Sequence, residues 1–252
     1  MAPAITNSIE NWLEIKAATG NLASNTRRAY YNDLNDFFNF LAEYQNETAN
    51  LSTVENLKIS DIRAWQAKLR TMNSGARSNA RKLSSLKSYI RWLAKHRQFD
   101  ATHILSLKSP KFSKKLPRPL EPIEAKAVLT ECESTSTDPW IVARDTAVLI
   151  LLYGCGLRIS EALNLRTKDI PLDKSIRITG KGGKVRMVPV LKIAQNAVNQ
   201  YVDLCPFKLE RDDEIFRGLR GKPLSPKIIQ NKMKSVRHLL GLPASATPHA
   251  LR

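Results

Sequence analysis

The chain has 252 residues, 42% of them hydrophobic, and a formal net charge of +17. That length accommodates one large or two modest domains with cores of their own, which excludes wholesale disorder, and the charge favours a polyanionic partner. The longest apolar run, Ala147 to Tyr153, is far short of the roughly 20 residues a bilayer crossing needs, and Met1 to Ala4 carries no basic leader region. A soluble cytoplasmic protein without membrane insertion is therefore expected. Three widely spaced cysteines, Cys132, Cys155 and Cys205, form no C-x-x-C pair, so a disulfide framework or a zinc site has little support.

Periodicity predicts helices over residues 9 to 17 (Trp12 and Leu13 inward), 26 to 44 (Tyr30, Leu34, Phe37, Phe38 and Leu41 inward) and 62 to 69 (Trp65 inward). Ser60 or Asp61 is the expected cap of the third, and Asn73-Ser74-Gly75 breaks the chain before a fourth. From Ile62 to Phe99 there are ten basic residues and no acid, whereas residues 1 to 50 carry three basic and six acidic side chains. A solvated helix face ordinarily mixes signs, so this asymmetry marks an interaction surface. At about 100° per residue, Arg77, Arg81, Ser84, Ser88, Arg91 and Lys95 fall on one stripe, opposite Leu83, Leu86, Tyr89, Ile90 and Leu93. Short hydroxyls flanked by cations suit a phosphodiester backbone, although charge alone does not choose between DNA, RNA and ribosome. Lys87, Thr26 and Arg27 join the candidate contacts.

Residues 109 to 120 hold three prolines and four basic residues without an acid, and read as an extended linker between a helical domain at 1–108 and a second domain at 121–252. Glu121-Pro122 opens a helix, and Trp140 to Tyr153 is apolar nearly all round, as in a buried central helix. Gly154-Cys155-Gly156-Leu157-Arg158 interrupts it, and another helix begins at Ile159. Ser175 to Thr179 and Val185 to Val190 flank a glycine-rich tip and predict a β-hairpin. Helices follow at 193 to 204 and 226 to 240. Thr247-Pro248 reads as a cap and first-turn proline, placing His249 and Arg252 on one helical turn.

Four of these residues suit phosphoryl chemistry. Arg158 follows two glycines at a helix start, Lys181 stands at the hairpin tip beside Lys184 and Arg186, and His249 and Arg252 are three apart. The hairpin tip is not a nucleotide-binding P-loop, because Val185 follows Lys184 where Ser or Thr is required and no helix opens there. No acidic cluster with metal-ligand spacing accompanies the set, so no cofactor or metal is expected.

Taken together, G-L-R-I-S-E-A-L, a G-K-G-G-K hairpin and P-H-A-L-R, in that order, closely resemble the tyrosine recombinases, in particular the Xer-type site-specific recombinases and their XerC-like branch. Ser24-Asn25-Thr26, Ala29-Tyr30 and Asp33-Leu34 extend the resemblance to the amino-terminal part. It implies a mainly α fold: an N-terminal four-helix, SAM-like core-binding domain and a mostly helical catalytic domain with a small β-sheet, closing as a C-shaped clamp on double-stranded DNA. It also implies recombination through a 3′-phosphotyrosyl intermediate, with Arg158 and Arg252 on the nonbridging oxygens, Lys181 protonating the leaving 5′ oxygen and His249 as acid/base. Chromosome dimer resolution, a second Xer-type recombinase in a tetramer, and an activating DNA translocase follow from the same resemblance.

The family places its nucleophilic tyrosine beyond the P-H-x-L-R box, whereas all six tyrosines here precede it. The sequence thus reads as a fragment that binds DNA without cleaving it. A noncatalytic DNA-binding protein of the same fold is the alternative. A type IB topoisomerase would share the chemistry, but the amino-terminal part looks recombinase-like.

Overall fold

A computed structural model describes residues 2–20, 22–112, 119–134, 138–180 and 183–252. The chain divides into two compact units, Met1–Lys114 and Lys115–Arg252. Of the stretch read as a linker, residues 113–118 lie outside the described residues.

The first unit is all helical. Its four long helices are α1 (Pro3–Gly20), α2 (Ser24–Gln45), α4 (Ile59–Thr71) and α5 (Ala76–Arg97), with one-turn helices α3 (Leu51–Glu55) and α6 (Thr102–Leu105) between and after them. The apolar residues spaced three and four apart on α2 and α5 meet in one core with Trp12 and Trp65. Phe37 packs its edge against Trp65 with ring centroids 4.9 Å apart, and Trp12 does the same against Tyr89 at 5.6 Å. The Tyr89 hydroxyl donates to Ser8 Oγ at 3.0 Å, and burial pushes its pKa up to about 12. The expected cap of α4 is displaced: Lys58 occupies the cap position, and Asp61, three residues inside, accepts the Lys58 backbone N–H at 2.9 Å. A side chain at that inner position satisfies a free amide as well as a capping Ser would, so Asp61 serves the helix start from the opposite direction.

The second unit is built around α8 (Pro139–Gly154), against which α7 (Pro122–Ser134), α9 (Ile159–Leu163), α10 (Lys192–Leu204) and α11 (Pro226–Leu239) pack. Ala147 to Leu152 on α8 are buried without interruption, which explains the absence of a polar face. Arg144, Asp145, Glu161 and Arg217 are buried in this unit as well: Arg144 Nε donates to Asp145 Oδ1 at 2.8 Å and Arg144 Nη1 to the Arg217 carbonyl at 3.0 Å. Strands β1 (Ser175–Thr179) and β2 (Val185–Pro189) form an antiparallel hairpin in which Ile176 faces Val188 and Ile178 faces Arg186. Ile176, Ile178 and Val188 are buried, so the alternation also turns Arg186 toward the body of the unit. Ser225 caps α11, its side chain accepting the Lys227 N–H.

The carboxy-terminal motif forms turns where a helix was expected. Its backbone bonds run from Ala250 N to Thr247 O and from Arg252 N to His249 O, three residues apart in each case. Tertiary anchoring holds it instead: Ala246, Ala250 and Leu251 are buried, and Leu120 N–H donates to the Ala250 carbonyl at 2.8 Å. Among the described residues, no helix is long and apolar enough to cross a membrane.

Candidate functional site

Arg158 caps the start of α9 while its side chain stays half exposed. Glu161, one turn on, accepts the Arg158 backbone N–H and its Nη1, each at 2.8 Å. Gly156, two residues earlier, has φ +61°, a conformation that glycine adopts without the steric cost a side chain would bring. Its carbonyl accepts Arg252 Nε at 2.6 Å from 96 residues further along the chain. Arg158 is therefore held by Glu161 of α9, and Arg252 by the backbone oxygen of the glycine turn just before it. Both remain exposed, and the Arg252 Nη groups have no hydrogen-bond partner among the described residues.

His249 belongs to the same corner. It lines a cavity of about 360 Å³ together with Ile159, which follows Arg158, and with Lys227, Asn231, Lys234 and Arg237 of α11. Arg252 thus reaches the turn two residues before Arg158, and His249 shares a cavity with the residue after it. Lys181, the fourth residue of the set, lies outside the described residues. Lys184, at the base of the hairpin tip, is exposed, and its carbonyl accepts the Gly180 N–H at 2.7 Å.

Sequence reasoning missed Glu161, which is the centre of this arrangement. Its carboxylate also takes a two-pronged contact from Arg186, Nη1 to Oε1 at 2.9 Å and Nη2 to Oε2 at 2.7 Å. The Arg186 hydrogen bonds hold Glu161 at a pKa of about 2, against the upward pull of burial and with help from the Arg158 backbone and side chain. The available signal was the spacing: a glutamate three residues after a helix cap reaches back to it, and Arg186 shares a strand face with Val188. Arg186, expected as a phosphate contact, has its guanidinium committed to Glu161.

In the first unit the basic stripe is present but unequal. Arg77, Arg81, Ser84, Arg91 and Lys95 are exposed, and Leu83, Leu86, Tyr89, Ile90 and Leu93 are buried on the opposite side. Arg81 pairs with the nearly buried Asp33 and also donates to the Ala29 carbonyl. Lys87 donates to the Leu107 carbonyl at 2.8 Å; burial and then the charge of Arg91 lower its pKa. Ser88 accepts from Lys16, and Arg27 sits 3.6 Å from Glu14. Arg77 lies over the ring of Phe112. Arg91 and Lys95 have no ion pair among the described residues, and Thr26 is partly buried near the start of α2.

Comparison with known proteins establishes the family. Residues 118–252 match the phage integrase family, and residues 9–97 match the phage integrase N-terminal SAM-like domain. The chain is 43% identical over 251 residues to the tyrosine recombinase XerC of Agrobacterium fabrum, covering 99% of this chain and 80% of that protein. It is 41% identical over 252 residues to the XerC of Mesorhizobium japonicum, covering 99% and 81%. Among solved structures, a lambda integrase dimer bound to a COC′ core site superposes with a TM-score of 0.71 at 18% identity, covering 98% of this chain and 67% of that one. The XerH recombinase bound to a palindromic difH substrate gives 0.70 at 18% identity, covering 96% and 71%. The chain belongs to the phage integrase family, with the SAM-like and catalytic folds of the tyrosine recombinases.

Proposed function

We propose that this chain is the DNA-engaging part of a Xer-type site-specific recombinase of the cytoplasm, with residues 1–108 as the core-binding domain and 121–252 as the catalytic domain. The observation that supports the reading is the Arg252 Nε bond to the Gly156 carbonyl, which anchors a second exposed arginine at the turn two residues before Arg158. Two forked cations converging on one phosphate would match the nonbridging oxygens of a phosphodiester and offset the charge that grows on them as phosphorus becomes pentacoordinate. In the transesterification this reading implies, a tyrosine oxygen bonds to phosphorus as the 5′ oxygen leaves. Lys181 gives that oxygen its proton, and His249 assists the proton transfers. The bond energy stays in the phosphotyrosyl link, so rejoining needs no nucleotide. Assembly with a second recombinase into a tetramer, activation by a DNA translocase and the resolution of chromosome dimers belong to the same proposal, supported by the XerC relatives.

None of the six tyrosines supplies the nucleophile in this reading. Tyr30, Tyr31, Tyr44 and Tyr89 belong to the first unit. Tyr201 is buried with its hydroxyl donating to the Ile215 carbonyl at 2.8 Å, and Tyr153 is the exposed penultimate residue of α8. The 252-residue chain is expected to bind duplex DNA and to leave it uncut. Incubation with a nicked suicide duplex, followed by denaturing electrophoresis, tests this. A covalent adduct would assign the nucleophile to one of these tyrosines.

DNA affinity itself is expected to fall steeply with salt, because each phosphate contact releases about 0.9 counterion. Arg91→Glu, which reverses a cation with no ion pair among the described residues, should weaken duplex binding by about 10-fold at about 0.1 M salt and flatten the salt slope by about 1. Unchanged affinity and slope would show the α5 stripe to be merely solvated.

A further inference from the structure

Glu161 poses an electrostatic problem for the site it organises. A carboxylate bonded to Arg158 at 2.8 Å, with its own side chain only 7% exposed, cancels much of the positive charge that Arg158 would present to a phosphate. A one-to-one ion pair of this kind would orient the guanidinium and weaken it at the same time. Arg186 changes the balance. It comes from the inward face of β2, 25 residues away, and covers both oxygens of the same carboxylate. Two guanidinium groups then share one carboxylate, and the cluster keeps a net charge of +1. The shares are uneven in geometry: Arg186 forks onto both oxygens, whereas Arg158 spends one Nη and its backbone N–H, leaving Nε and the other Nη without a partner among the described residues.

We infer that Arg186 is a positioning residue that acts through Glu161: it neutralises the carboxylate that orients Arg158, so that Arg158 is held in place and still carries its charge to the bound phosphate. The inference rests on the proposed role of Arg158 as a phosphate ligand. It also separates Arg186 from the residues that touch DNA directly, the role its charge and its place beside the hairpin tip suggest. The contact with Glu161 further ties β2 to the start of α9, so that the strand leading away from the hairpin tip and the arginine corner share one anchor.

The test is a double-mutant cycle on duplex DNA affinity, measured with the 252-residue chain at fixed salt. Arg158→Ala comes first, and its failure to weaken binding would remove the underlying reading of Arg158, separately from the inference about Arg186. Given that loss, Arg186→Gln is expected to lower affinity by about 10-fold in the wild-type background, where it leaves Glu161 to Arg158 alone. In the Glu161→Gln background, the same change should shift affinity by less than about 2-fold, because there is no carboxylate left to neutralise. Equal losses in both backgrounds would mean that Arg186 contacts DNA itself, and would overturn the inference. Arg186→Lys keeps the charge but not the fork, and should recover most of the affinity lost in Arg186→Gln. Thermal melts of the same proteins guard against simple unfolding. If the affinity losses follow the melting temperatures instead of the pairing pattern, Arg186 is a structural brace and the inference fails.

Discussion

Asp145→Ala is expected to lower the unfolding free energy of the second unit by about 4 kcal/mol, within the roughly 3 to 5 kcal/mol seen when one partner of a buried ion pair is removed. The Arg144 and Asp145 side chains are 3% and 4% exposed, and Asp145 Oδ1 accepts from both Nε and Nη2 of Arg144. Lys232 of α11 lies 4.0 Å from the other carboxylate oxygen, so the substitution would leave two cations facing each other in the core. The Arg217 carbonyl still accepts from Arg144 Nη1 but offers no compensating charge. Urea denaturation should therefore show the transition of the second unit moving to lower denaturant, while the first unit keeps its own. Replacing both residues by apolar ones of similar volume, Arg144→Met with Asp145→Leu, should cost less, because Arg144 no longer faces Lys232 across the space the carboxylate filled. A loss below about 1 kcal/mol for Asp145→Ala would mean that water reaches this pair.

The second large effect is a dependence of stability on acid. Glu161 has its pKa depressed from 4.5 to about 2 in the folded chain. A depressed carboxylate contributes stability that is fully present above its unfolded pKa and is lost as pH falls through the folded value, so the window runs from about pH 4.5 down to about pH 2. A shift of that size corresponds to about 3 kcal/mol at 1.36 kcal/mol per unit, reduced somewhat because Arg158 and Arg186 are partly open to solvent. The check is the difference between the wild-type chain and Glu161→Gln in urea midpoints measured from pH 5 to pH 2. The wild-type advantage should shrink across that range, and a constant difference would remove the ionic account of the site. Asp33 in the first unit has the opposite sign. Burial, its largest influence, raises its pKa despite Arg81, Ser85 and Lys82, so its contribution favours the fold at low pH and is lost as pH rises through the raised value.

These two effects arise from residues of unequal legibility. Arg158, His249 and Arg252 stood out because their motifs occur in order and because glycine turns and a proline mark where the chain bends. The helices of the first unit were equally readable, since Leu34, Phe37, Phe38 and Leu41 recur at helical spacing and the structure buries all four. Arg144 and Asp145 gave no such signal. The surrounding stretch reads as apolar nearly all round, and only the packing of α10 and α11 against α8 shows that the pair is enclosed with it. The motif at 247 to 252 carried local helix signals, yet its buried Ala246, Ala250 and Leu251 and the bond from Leu120 hold it in turns.

Local patterning by itself determined the helical character of both parts, the hairpin and the identity of the arginines, because periodicity, turn chemistry and short motifs are properties of neighbours along the chain. Tertiary structure alone decided which charges are spent and which are free. Arg186 and Arg91 are the same residue type, each near a candidate phosphate site, but Arg186 meets Glu161 across 25 residues while Arg91 meets no carboxylate among the described residues. A charge is neutralised by whatever lies within a few ångströms of it, and that neighbour is set by the fold.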